Sequence, residues 1–176
     1  MLDLVVDSFA KAPNALVQNP DGTDGITLHA NLDETDIFAM PFLNMSGSSW
    51  PEFDAVKTDY FGTLQEREGA NWENGRLAKG LVYRYALFAD LFDLPDHPGG
   101  HSSSGYSENY IDPSGRGMGG SDFIVTLGTW KRDNGPDHMA GGDDDIFGGT
   151  DQEQAATFMH ELGHTLGLFH GGDQID

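Results

Sequence analysis

Residues His160–His170, with the sequence HELGHTLGLFH, constrain this chain more than any other stretch. On a helix, residues four apart lie about 40° apart around the axis, so His160 and His164 leave one face together. Two imidazoles placed this way can grip one zinc ion. Glu161 lies about 100° round from His160, off the ligand direction but within reach of a water held by the metal. Gly167 can end the helix in a left-handed conformation that a residue with a Cβ resists. The chain then turns, and His170 can return as a third ligand. A fourth position is left for water, which is the open geometry of a catalytic zinc site. Five fixed positions, three of them His, match by chance in on the order of one in a hundred thousand chains of this length.

Two blander readings compete with this one. A buried core helix can carry three histidines, but it gives no reason for a Glu between two of them. A structural zinc site usually closes with four protein ligands and favours Cys. This chain has no Cys.

At 176 residues the chain fits one domain with its own core. It carries 29 acidic and 9 basic residues, a formal charge of -20. Such a field attracts neither nucleic acid nor an anionic membrane, so neither is expected as a partner. It suits a soluble exoprotein, a salt-rich habitat or a calcium-binding chain, and does not choose between them. The lack of Cys excludes a disulfide framework. No apolar run reaches the roughly 18 residues that a membrane-spanning helix needs. No signal peptide is visible, since Asp3 is acidic and no basic region precedes an apolar one.

Along the chain, Leu2, Val5, Val6, Phe9 and Ala10 recur at helical spacing and predict a helix over 1–12, limited by Pro13. Asn19 to Gly22 reads as a turn. Ile26, Leu28, Ala30 and Leu32 alternate with polar residues and predict a half-buried strand over 25–32, with His29 on its solvated side. Residues 33–74 read as irregular, with a short helix or two. Residues 80–89 read as a strand, apolar on both faces and therefore central in its sheet, with a helix as the competing reading. Residues 90–120 are loop-rich; Asp93, Asp96, His97 and His101 in them could form a second metal site, but a solvated loop is the better reading. Asp122 to Thr129 predicts a strand. The Gly- and Asp-rich run 131–149 holds Asp133, Asp137, Asp143, Asp144 and Asp145, which could cage calcium, although the EF-hand pattern fails and a plain acidic loop competes.

The motif helix has a legible start. Thr150 as N-cap and Glu153 three residues on fit a capping box, and Asp151 and Glu153 suit the positive end of the helix dipole. Ala155, Met159, Leu162 and Leu166 are expected to face the sheet, and Ala156, His160, His164 and Gly167 the cleft.

The long HExxHxxGxxH form resembles the signature of the metzincin clan of zinc endopeptidases. The stretches Asn19–His29, Tyr83–Phe88, Asp122–Gly128 and Phe158–Gly167 are also similar to those of a group of bacterial metzincins, so the resemblance runs over most of the chain. Only the zinc motif is specific enough to carry roles residue by residue. The resemblance implies an α/β fold of zincin or metzincin type. Its upper subdomain has a twisted mixed β-sheet, a backing helix and the active-site zinc helix. It implies zinc held by His160, His164 and His170, with Glu161 as the general base that takes a proton from a zinc-bound water as it attacks a peptide carbonyl. A strand on the cleft rim, placed in the loop before Asp122, would align a protein or peptide substrate by main-chain hydrogen bonds. A secreted or periplasmic location follows from the same resemblance.

Two departures qualify it. Metzincins have a Met-turn beneath the metal in a C-terminal subdomain, and no Met follows His170 here. They also usually begin with a strand, whereas Met1 opens a helix. Residues 1–176 are therefore expected to be the upper subdomain of such a catalytic domain, with the C-terminal subdomain that completes the cleft absent. The alternative function is a catalytically incompetent zinc-binding fragment or interaction module.

Overall fold

All five residues of the segment Asp122–Thr126 are buried, so the strand they form must be covered on both faces. The computed structural model describes residues 1–12, 19–35, 37, 43–45, 50–93, 101–102, 104–108, 110–111 and 117–170. In chain order the elements begin α1 (Leu2–Ala10), β1 (Leu43–Asn44), α2 (Pro51–Tyr60), α3 (Leu64–Arg67) and α4 (Trp72–Gly80). Strands β2 (Tyr85–Ala89), β3 (Phe92–Asp93), β4 (His101–Ser102), β5 (Ser104–Ser107), β6 (Tyr110–Ile111) and β7 (Gly117–Gly119) follow. Then come β8 (Asp122–Thr126), β9 (Lys131–Asp133), β10 (Ile146–Phe147) and α5 (Asp151–Thr165). The fold is mixed α/β, with helices packed on small sheets.

Strand β8 is the middle of the sheet β2-β8-β5, parallel to β2 and antiparallel to β5. Its side chains alternate between two cores, as a period of two requires. Ile124 joins Tyr85 and Leu87 of β2 on one face, where Phe53 and Val56 of α2 close over them. Phe123 and Val125 point to the other face, against Val5 of α1 and Ala155, Phe158 and Leu162 of α5. The Phe123 and Phe158 rings meet edge to face at 4.9 Å. Such a pair contributes about 0.5–1.5 kcal/mol beyond its area. The helix carrying the histidines is thus clamped directly onto the central strand.

Helix α1 forms where the apolar spacing predicts it and packs beside α5 on the same face of the sheet. The strand expected over 25–32 is absent. The Ile26 N–H donates to Phe9 O (3.0 Å) and the Thr27 N–H to Asn19 Oδ1 (3.1 Å), so the end of α1 and the preceding turn take the donors that a neighbouring strand would have used. Gly25, with φ +79°, passes so close to Ala10 that a Cβ would not fit. Leu28 rests on the α1–α5 core while Ile26, Leu32 and His29 are exposed.

The strand expected over 80–89 is shorter. Helix α4 runs through Gly80, and Leu81, Val82 and Tyr83 are exposed before β2 begins at Tyr85. Among the described residues β2 is an outer strand of its sheet and β8 the central one, whereas residues 80–89 were expected to be central. Residues 33–74, read as mostly irregular, contain α2, opened by Pro51 in its first turn, and α3, opened by a Thr63–Glu66 capping box. No helix among the described residues is long and apolar enough to cross a membrane.

Candidate metal centre

The N-terminus of α5 is fastened as its sequence indicates. Thr150 Oγ1 accepts from the Glu153 N–H at 3.2 Å, and Glu153 Oε2 accepts from the Thr150 N–H at 2.7 Å. That N–H, and next the Thr150 hydroxyl, hold the Glu153 carboxyl below its usual range. The buried stripe of the helix is Ala155, Phe158, Glu161, Leu162 and Thr165. Met159 is partly buried against the same core. Leu166, expected to face the sheet, is 51 % exposed because the helix has already ended at Thr165. Phe158, outside the expected set, is buried against Phe123 of the central strand.

The C-terminal end turns as the glycine predicts. Gly167 has φ +81°. Its N–H donates to His164 O (2.9 Å) and the Leu168 N–H to Gly163 O (3.0 Å), which together make a Schellman closure. The turn is anchored from outside as well: Arg84 Nε donates to Thr165 Oγ1 at 2.9 Å, and the Gly120 N–H to Thr165 O at 3.1 Å.

This turn brings His170 back over the helix. The Nε2 atoms of His160, His164 and His170 form a triangle with sides of 3.1, 3.1 and 3.2 Å. A tetrahedral ion with Zn–N bonds of about 2.0–2.1 Å spaces its nitrogens about 3.3–3.4 Å apart, so the donor set fits such an ion with little adjustment. His164 Nδ1 lies 2.7 Å from Leu168 O. A carbonyl only accepts, so Nδ1 carries the proton and Nε2 presents its lone pair to the triangle. His160 and His170 are exposed and His164 is half-buried, so solvent reaches the donors.

Glu161 stands outside the ligand cluster, as its position on the helix requires. It points under β5 and is 3 % exposed. Its Oε2 accepts a 2.5 Å hydrogen bond from Ser107 Oγ, and its backbone carbonyl lies 2.9 Å from the same hydroxyl. A Cβ on Gly105 would fall 2.6 Å from Glu161 Cγ and Oε1. Neither Gly105 nor Ser107 was singled out by sequence reasoning. Both lie more than fifty residues upstream, and no local pattern links them to the motif.

Among the described residues the three histidines are the one group of His, Asp and Glu ligand atoms that could share an ion. Of the second expected group, Asp96, His97 and the His101 side chain lie outside the described residues. The carboxylates of 131–149 bind their own loop instead of gathering. Asp144 Oδ2 accepts from the Asp137 N–H (3.1 Å), Asp137 Oδ1 from the Met139 N–H (2.8 Å), and Asp145 pairs with Lys131 (2.8 Å). Lys131, and then the Gly141 N–H, hold the Asp145 carboxyl below its usual range.

Comparison of the chain with protein-family models, with curated proteins and with solved structures gives no match.

Proposed function

We propose that this protein is a zinc-dependent endopeptidase of metzincin type. The observation that carries the reading is the triangle of three Nε2 atoms on a helix that also presents a Glu next to the first ligand. His160, His164 and His170 would hold the ion. When bound, zinc polarises a carbonyl and lowers the pKa of a coordinated water toward about 7. Glu161 takes the proton from the attacking water and returns it to the departing amine, so that OH adds to the carbonyl carbon as the C–N bond breaks. Strand β5 suits the substrate-aligning role expected of the loop before Asp122. It is antiparallel to β8, and among the described residues nothing pairs with its outer edge. An extended peptide can add there by main-chain hydrogen bonds. The finer metzincin architecture and a secreted or periplasmic location belong to the same proposal.

One observation favours a second reading, a zinc-holding module without turnover: the Glu161 carboxylate is buried and already bonded to Ser107. Zinc content and cleavage of a quenched-fluorescent peptide, with and without chelator, separate the two. One zinc per chain with chelator-sensitive cleavage that Glu161→Gln abolishes is the expected result. One zinc with no cleavage selects the second reading. No bound zinc overturns both.

A further inference from the structure

The inner face of β5 holds Glu161 from two sides. Successive strand residues point to opposite faces, so Gly105 and Ser107 share the face toward α5. Tyr106 turns the other way, onto Trp50 and Phe92 at 5.5 and 5.7 Å. Its aromatic packing pins the strand to the first core, and so fixes how far the opposite face stands from α5. On that face Gly105 supplies room: its missing Cβ is where the Glu161 side chain lies. Ser107 supplies direction: its hydroxyl sits 2.5 Å from Oε2 and 2.9 Å from the Glu161 carbonyl.

We infer that Gly105 and Ser107 are positioning residues for the general base, and that β5 therefore couples peptide binding at its outer edge to the orientation of Glu161 at its inner face. A Glu side chain has three rotatable bonds, and a base acts only within hydrogen-bond reach of its proton. Without the hydroxyl the carboxylate is free to leave that direction. With a side chain at 105 it is driven from its place. This inference rests on the endopeptidase reading, and its test distinguishes the two.

The test compares Ser107→Ala, Ser107→Thr, Ser107→Val and Gly105→Ala in the full chain with zinc bound. Thr and Val are close in size and differ in the hydroxyl, so size and hydrogen bond separate. The expected result is a loss of kcat of about ten- to a hundredfold for Ala and Val at position 107 and for Ala at 105. KM stays near wild type, zinc remains at one per chain, and Ser107→Thr stays close to wild type. Equal kcat for Thr and Val, or wild-type kcat for Ser107→Ala, overturns the inference while leaving the endopeptidase reading intact. A zinc-loaded wild type without turnover overturns the endopeptidase reading and the catalytic role of the pair with it. A second measurement needs no activity. In the metal-free chain, the denaturant midpoints of Ser107→Ala, Glu161→Gln and the double variant form a cycle. Non-additive shifts are expected, and strict additivity shows that the two side chains do not hold one another.

Discussion

His164 Nδ1 lies 2.7 Å from the carbonyl oxygen of Leu168, four residues on and beyond the end of its own helix. That contact exists because Gly167 turns the chain at φ +81°. One turn therefore does two things: it brings His170 to the other ligands, and it sets the tautomer of His164. Gly167→Ala puts a Cβ into a conformation that L-residues resist. The expected outcome is a drop in zinc affinity of about tenfold, the size seen when a ligand's outer partner is lost. Competition against a chromophoric chelator measures it. Wild-type affinity in Gly167→Ala would show that neither the turn nor the Leu168 carbonyl matters to the site.

The other end of the same helix makes a contrasting prediction. Thr150 and Glu153 satisfy each other's backbone donors, ten residues before the first ligand. Thr150→Ala removes the cap and costs about 1 kcal/mol. For a chain of this size that is a fall in melting temperature of about 2–4 °C. The histidines are held by the C-terminal turn and the core contacts of Phe158 and Leu162, so zinc affinity stays put. A melting temperature equal to wild type would mean the first turn frays already.

What the sequence made legible follows from distance along the chain. The three ligands lie within one helix and one turn, so their spacing alone encodes their convergence, and the capping box is likewise four consecutive residues. The strand at Asp122–Thr126 was readable in the local sequence, and its burial on both faces was a finding of the structure. The partners of Glu161 were not, because Ser107 and Gly105 reach it across a sheet from a distant loop. The strand expected over 25–32 had the right alternation, but strand formation needs a neighbour, and α1 took its hydrogen bonds instead. Phe158 was overlooked as a sheet-facing residue because the expected stripe steps back three residues from Leu162 to Met159, where a step of four reaches Phe158. The helix had ended before Leu166, and the buried stripe is centred on Phe158, Glu161, Leu162 and Thr165.

The α3–α4 junction offers a pH-dependent test away from the metal. Lys79 Nζ lies 2.7 Å from Glu66 Oε2, and the Thr63 N–H donates to the same oxygen at 2.8 Å. The Lys79 contact first, and the Thr63 N–H next, hold the Glu66 carboxyl down at about 2, against an ordinary 4.5. A depressed folded value stabilises above the unfolded one and ceases to as pH falls through the folded one. Glu66→Gln should therefore melt below wild type at neutral pH, and the gap should close as pH drops from 4.5 toward 2. Melting curves in the presence of chelator, which remove the titration of the metal site, read this directly. A gap that persists at the lowest pH would assign the effect to side-chain shape rather than charge.

Lys57 and Asp122 set the opposite sign. Their Nζ and Oδ2 atoms are 2.6 Å apart, with side chains only 15% and 6% exposed. Asp122 Oδ1 also accepts from the Tyr85 N–H at 3.3 Å, at the first rung of the β2–β8 pairing. Burial pushes the Asp122 carboxyl up, and Lys57 pulls against that shift. Lys57→Met removes the cation and leaves a buried carboxylate, which costs about 3 kcal/mol at neutral pH. With its counter-charge gone the carboxyl rises further. A raised folded value contributes stability fully below the unfolded value and loses it as pH climbs through the folded one. The variant should therefore lie nearest wild type in acid and fall progressively behind as pH rises toward neutral. Urea midpoints of the two proteins across that range give the comparison. A deficit that stays constant with pH would locate the damage in lost packing of the Lys57 stem, and the charge pair beneath the central strand would then have no electrostatic role in holding β2 to β8.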